Sequence, residues 1–177
     1  GRRARVGDAL SRLRVDARDG GGGRLPLGDL AREVRAAHDR DASGVDAGDR
    51  VLEIGAGIGS LTLALRERGC AVLALEIDRK LVTVLEREVA DDADVRVVAG
   101  DALTVDFDAL LGAGPWSCVS NLPYNVATPL ICDLLDEVPA ITRMLVMVQR
   151  EAAERFAASP RTSAYGAVSV KAAYWGT

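Results

Sequence analysis

The sequence predicts an α/β domain: a mostly parallel sheet covered by helices on both faces. Three observations carry this. From residue 50 onward, short apolar runs alternate with amphipathic stretches, and the junctions hold Gly or Asp; such alternation makes βαβ units, whose strands run parallel. The chain has 177 residues, enough for one well-packed domain and few for two. Its hydrophobic share of 49% and charged share of 27% are those of an ordinary globular protein.

Residues 1–24 mix Arg, Asp and Gly and close on Gly20-Gly21-Gly22-Gly23, a run too flexible for an element interior; disorder or a loosely attached helix is expected. After Pro26, the spacing of Leu27, Leu30, Val34 and Ala37 predicts a short amphipathic helix to about His38. Residues 1–45 are thus a basic, partly flexible arm, and 46–177 form the main domain. Five strands follow, at Arg50–Ile54, Ala71–Glu76, Val95–Ala99, Trp116–Ser120 and about Thr142–Val148. A helix from Ser60 to Arg68 closes on Gly69. Asp78 caps a second helix whose Leu81, Val82, Leu85 and Val89 share one face. Thr128-Pro129 makes a helix start, Thr as cap and Pro in the first turn, for a helix through Glu137. Another helix spans Arg150 to about Ala158, and Ala164–Tyr174 is apolar enough for a further buried helix or strand, with helix the preferred reading. In order of appearance, the five strands are expected to lie 3-2-1-4-5, with an unpaired edge at the fifth.

Charge and residue counts narrow the chemistry. The net charge is -4, yet residues 1–40 hold ten arginines against six acids, leaving 12 of the 22 basic and 20 of the 26 acidic residues for the rest. A basic arm can supply the phosphate attraction that nucleic-acid binding needs; taken alone, it reads first as a solvated, poorly ordered leader. Cys70, Cys118 and Cys132 lack C-x-x-C spacing and read as small core residues. His38 is the single histidine, so metal sites or catalytic triads built on His have almost no material, and no metal is expected. No apolar run reaches the about 18 residues that cross a bilayer, and no basic-then-apolar leader opens the chain. A cytoplasmic monomer is the expectation.

Candidate site residues cluster where strands end, the place at which open α/β sheets bind ligands. In Glu53-Ile54-Gly55-Ala56-Gly57-Ile58-Gly59 the glycines permit a tight turn and close approach of backbone amides to a ligand. The spacing is G-x-G-x-G rather than the G-x-G-x-x-G of dinucleotide enzymes. The carboxylate of Glu53 would repel a pyrophosphate and attract an ammonium or sulfonium, which favours S-adenosylmethionine. Gly55, Ala56 and Gly57 form the loop. Glu76, ending the second strand, is placed to accept hydrogen bonds from ribose hydroxyls, with Ile77 to pack on an adenine face. Asp101 and Ala102 follow the third strand, one to accept from the adenine amine and the other to donate a backbone amide. After the fourth strand comes Asn121-Leu122-Pro123-Tyr124-Asn125. An adenine amine is a poor nucleophile because its lone pair is delocalised. The Asn121 side-chain oxygen and the Leu122 carbonyl can pull its hydrogens out of plane, with Pro123 fixing the backbone. Tyr124 can stack on an extruded base.

Together these segments resemble the ribosomal RNA adenine N6-dimethyltransferases, over about residues 48–175. Glu53–Gly59 is similar to that family's cofactor loop, with Ala56 where the family usually has Pro. Glu76-Ile77-Asp78 resembles its ribose-binding acid, Gly100-Asp101-Ala102 its adenine-binding turn, and Asn121–Asn125 its catalytic motif. Val148-Gln149-Arg150-Glu151 with Ser163-Ala164-Tyr165-Gly166 is similar to a segment separating the family from generic methyltransferases. The resemblance implies a Rossmann-like S-adenosylmethionine-dependent methyltransferase fold whose last strands are missing. It implies dimethylation of two adjacent adenosines near the 3′ end of small-subunit rRNA, with a small-subunit precursor as partner. Asn125 and Thr128-Pro129 lean to that branch over the macrolide-resistance branch acting on large-subunit rRNA. A non-catalytic rRNA-binding assembly factor is the reading from another class. Before the first helix only Leu27-Gly28-Asp29-Leu30 resembles the family's RNA-holding segment.

Overall fold

The structure, a computed structural model, describes residues 13–18 and 45–175, with residues 13–18 and Tyr124 described by their backbone alone. The elements in chain order are β1 (Leu13–Arg18), β2 (Arg50–Ile54), α1 (Ser60–Glu67), β3 (Ala71–Glu76), α2 (Arg79–Glu88), β4 (Val95–Ala99), α3 (Phe107–Leu111), β5 (Trp116–Asn121), α4 (Tyr124–Glu137), β6 (Ile141–Gln149), α5 (Arg150–Phe156) and α6 (Ala167–Trp175). The sheet has six strands in the order β1-β6-β5-β2-β3-β4, and every pair among them is parallel. The expected order of five strands is present, with β1 added.

Helices on both faces follow from strand composition. β2, β3, β5 and β6 are buried along almost their whole length, the pattern of a parallel sheet with two covered faces. On one face Val51, Val72, Ala74 and Val119 pack with Leu61, Leu65 and Leu85 of α1 and α2. On the other, Leu52, Leu73, Leu75, Cys118 and Val146 pack with residues of α3, α4, α5 and α6. At 25 cal/mol per Å² such side chains contribute about 1.5–3 kcal/mol each when fully buried. Gly59 (φ 89°) caps α1; a Cβ there would overlap the Leu85 side chain, so the αL glycine also lets α1 and α2 approach. Asp78 caps α2 by accepting from Lys80 N at 2.8 Å. Arg66 ties α1 to the β3–β4 connection through Asp92 (2.7 Å) and Asp94 (3.0 Å).

Five sequence expectations are corrected. Leu13–Arg18, expected as disorder or a loose helix, is a strand running alongside β6 from Leu13 opposite Met144 to Arg18 opposite Gln149, so the sheet edge expected to be unpaired is occupied. Its apolar and charged residues alternate, a strand's period, and the partner that decides the matter is remote in sequence. α4 starts at Tyr124, not Thr128, with Pro123 (φ −70°, ψ 147°) as its cap and Pro129 inside. Pro123 presents a fixed φ at the entry and its carbonyl receives the Val126 and Ala127 amides, while Pro129, in the second turn, removes one amide donor from the helix. Asn121 closes β5 instead of opening the turn, because it pairs with Met147. α3, unforeseen, is capped by Asp106 Oδ1, which accepts from Ala109 N at 2.9 Å. Ala167–Trp175 is helical, but of its residues only Ser169 and Ala172 are buried, against the buried element expected; Asp136 of α4 anchors it, accepting from Trp175 Nε1 (2.6 Å) and pairing with Lys171 (2.5 Å). The helix expected between Pro26 and His38 lies outside the described residues. Among the described residues no helix is long and apolar enough to cross a membrane.

Candidate functional site

The carboxyl ends of β2, β3, β4 and β5 surround a cavity of about 220 Å³. Its position follows from topology. β2 leads to α1 and thence to β3 on one side, while β5 lies on the other, so neighbouring strand ends diverge between β2 and β5. The ladder between these two strands consists of Val51 opposite Ser117 and Leu52 opposite Cys118 and does not continue to the strand ends.

The loop after β2 is held by β3. Gly55 N and Ala56 N both donate to Leu75 O, at 2.8 and 3.3 Å. Gly57 N donates to Glu76 Oε2 at 2.8 Å, and Asp78 N to Glu76 Oε1 at 3.0 Å. One buried carboxylate, 2% exposed, therefore fixes both the glycine loop and the turn into α2. Positive φ at Gly55 (77°), Gly57 (60°) and Gly59 (89°) makes the loop's path one that other residues rarely adopt. Asp101 turns the chain after β4 by accepting from Leu103 N at 2.9 Å through Oδ1, which leaves Oδ2 for a ligand.

Seven of the residues singled out in the sequence line the cavity: Gly55, Glu76, Ile77, Asp101, Ala102, Leu122 and Pro123. Ala56, Gly57, Glu53 and Asn121 lie next to it in the loop and strand ends without lining it, and Tyr124 opens α4 beside Pro123. Ile54, Gly100 and Asn125, which stand in the quoted motifs, also line it, while sequence reasoning assigned no site role to Leu75, Leu103, Val126 and Leu130, which complete the lining. The last two stand four apart on α4, a helical spacing that would have placed them on one face had the helix been started at Tyr124. Ile77 and Leu103 are 65% and 48% exposed, two large apolar side chains at the mouth, suited to a planar ring between them.

Two polar groups depart from ordinary behaviour. Glu53, expected to face a cationic ligand, is 1% exposed and accepts from Thr62 Oγ1 at 2.5 Å. Burial raises its pKa from 4.5 to about 8, opposed by the Thr62 bond and helped by the nearby Glu76 charge, so it is a neutral acid at pH 7. Asn121 is 5% exposed, and its Nδ2 finds no hydrogen-bond partner among the described residues. An idle buried donor costs about 1–3 kcal/mol and is the mark of a group held for something absent.

The tight loop with its αL glycines, the carboxylate at the end of β3, the second oxygen of Asp101 and an apolar slot fit the parts of S-adenosylmethionine: the methionine end, ribose hydroxyls, adenine amine and adenine ring. The architecture agrees. A dimethyladenosine transferase from Plasmodium falciparum superposes with a TM-score of 0.66 at 26% identity, over 80% of this chain and 49% of that one. The 23S rRNA methyltransferase ErmE does so with a TM-score of 0.57 at 27% identity, over 82% and 53%. This is the Rossmann-like fold of S-adenosylmethionine-dependent methyltransferases. Within that class, residues 40–176 match the model of the ribosomal RNA adenine dimethylase family, and the chain belongs to that family. Relatives named ribosomal RNA small subunit methyltransferase A are 49% identical in Magnetococcus marinus, over 75% of this chain and 48% of the relative. In Nocardia farcinica the figures are 50%, 77% and 48%. The chain spans about half the length of these relatives.

Proposed function

We propose that this chain binds S-adenosylmethionine and carries the adenine-methylating centre of an rRNA adenine N6-dimethyltransferase. The substrate is two adjacent adenosines near the 3′ end of small-subunit rRNA. The observation that carries the reading is Asn121: a buried carboxamide at the end of β5, beside the cavity whose lining suits the cofactor. The small-subunit assignment is supported by relatives of that name at 48–50% identity, against 27% to the large-subunit enzyme ErmE.

When bound, the cofactor supplies a methyl group on a cationic sulfur. The chain's own residues do the rest. Glu76 accepts from the ribose hydroxyls while retaining the Gly57 and Asp78 amides. Asp101 accepts from the cofactor's adenine amine through its free oxygen, and Ile77 and Leu103 close on the ring. On the target side, Asn121 Oδ1 and the Leu122 carbonyl accept the two hydrogens of the substrate amine, drawing its lone pair out of conjugation. Pro123 holds that carbonyl in place, and Tyr124 offers a ring for the extruded base to stack on. Once methylated, the nitrogen is a cationic acid that loses its proton to water, so positioning supplies most of the acceleration. Glu53 supports α1 under the loop through Thr62 and does not contact the cation. The active unit is a cytoplasmic monomer acting on a small-subunit precursor.

Calorimetry with S-adenosylmethionine, followed by mapping of methylated nucleotides in rRNA exposed to the protein, tests the reading. Cofactor binding in the micromolar range and two dimethyladenosines near the small-subunit 3′ end are expected. Methylation of a large-subunit adenosine would move the protein to the other branch, and absence of cofactor binding would remove the assignment.

A further inference from the structure

The Ile54 amide sits at the point where the sheet divides. Its neighbour Gly55 N points to β3 and donates to Leu75 O, so Ile54 N points the other way, toward β5. In a continuous parallel ladder it would meet a backbone carbonyl of β5, but the β2–β5 pairing has ended by then. Ile54 N donates instead to the side chain of Ser120, at 2.9 Å, within the buried interior. Ser120 is 0% exposed, and its Oγ also lies 3.4 Å from Cys118 Sγ, so the hydroxyl is fixed from two sides. On its far side β5 remains tied to β6, through Asn121 opposite Met147 and Leu122 N donating to Met147 O at 3.0 Å.

We propose that Ser120 is a positioning residue: its hydroxyl replaces the missing ladder bond and sets the width of the split between β2 and β5. Ser120 precedes Asn121, and Ile54 precedes Gly55. One hydrogen bond therefore sets the distance between the residue that takes the target amine and the loop that takes the cofactor. A direct backbone ladder would close the crevice, and loss of the acceptor would leave Ile54 N unsatisfied and let the two strand ends drift apart. The consequence for methyl transfer rests on the functional reading above; the geometric role does not.

Nitrogen-15 NMR on the wild type, Ser120→Ala and Ser120→Cys separates the two. Cysteine keeps the shape and a weak acceptor. In Ser120→Ala without cofactor, exchange of the Ile54 amide accelerates at least about ten-fold and the Asn121 side-chain amide resonance moves. The Leu73 and Leu75 amides stay as in the wild type, and Ser120→Cys falls between. S-adenosylmethionine then binds Ser120→Ala about three- to ten-fold more weakly, as expected for a displaced loop. An unchanged Ile54 rate and Asn121 resonance in the alanine variant overturn the proposal. So does acceleration spread evenly over the sheet, which marks a merely structural residue. Should the alanine variant not fold, the cysteine variant decides on the same two signals. Failure of the wild type to bind S-adenosylmethionine counts against the functional reading alone, since the signals without cofactor still judge Ser120.

Discussion

The two halves of the sheet meet at the β2–β5 split and treat their polar groups differently. At the ends of β2, β3 and β4, carboxylates are already engaged. Glu76 holds two backbone amides, Asp101 one, and Glu53 a threonine hydroxyl. At the end of β5 a buried carboxamide keeps an unpaired donor among the described residues. The first half is finished before a ligand arrives, as suits a cofactor that returns in every cycle. In the proposed function the second is completed by the entering base, whose amine pairs with the carboxamide oxygen, which is how a site gains specificity for a group able to pair with it.

Replacing Asn121 by Ala gives the largest expected effect: methyl transfer to adenine falls at least about 100-fold, the scale of removing one preorganised polar contact in a transition state. S-adenosylmethionine affinity, measured by calorimetry, stays within about three-fold. Equal losses in both would erase the division between the halves. Next comes Glu76→Ala, for which cofactor affinity drops about 10- to 100-fold, the worth of hydrogen bonds to a charged acceptor. Glu76→Gln, keeping one acceptor oxygen for the Gly57 or Asp78 amide, loses less. If alanine at 76 binds as well as the wild type, the prebuilt half is not the cofactor's.

The effect that leaves the chemistry untouched concerns Glu53 and appears in stability, as a slope. With its pKa raised from 4.5 to about 8, the folded protein keeps a proton that the unfolded chain releases above pH 4.5. This stabilisation is complete below pH 4.5 and is lost as pH rises toward 8. Glu53→Gln stays neutral throughout, so its stability relative to the wild type should increase from pH 5 to pH 8, by at most about 1.4 kcal/mol per pH unit. Denaturant melts at several pH values measure this; a difference independent of pH would mean that Glu53 is ionised in the fold.

The strands β2 to β6 were legible because each is a short, mostly apolar run set off by turn or helix signals, and the cofactor-side residues because they end those strands. Pairing with distant elements is what local patterns conceal. Leu13–Arg18 alternates correctly for a strand, yet nothing near it in sequence announces β6 as its neighbour. The strong start signal at Thr128-Pro129 masked the earlier cap at Pro123, and with it the contribution of Val126 and Leu130 to the cavity. Glu53 was read as a charge facing a ligand; its neighbour Thr62, on the helix above, turned it inward and burial neutralised it. The family resemblance named the motif around Asn121, but only the structure shows the side chain buried with its donor idle.

β1 also says something about time. Its place in the sheet depends on β6, with Leu13 opposite Met144, and a ribosome adds about 5–20 residues per second. For on the order of ten seconds of synthesis, β1 lacks its partner β6, while the strands between them in sequence and their helices can already assemble. Among the described strands the earliest made is thus paired by the latest, and a slow or stalled ribosome lengthens the interval in which β1 can be captured by another chain.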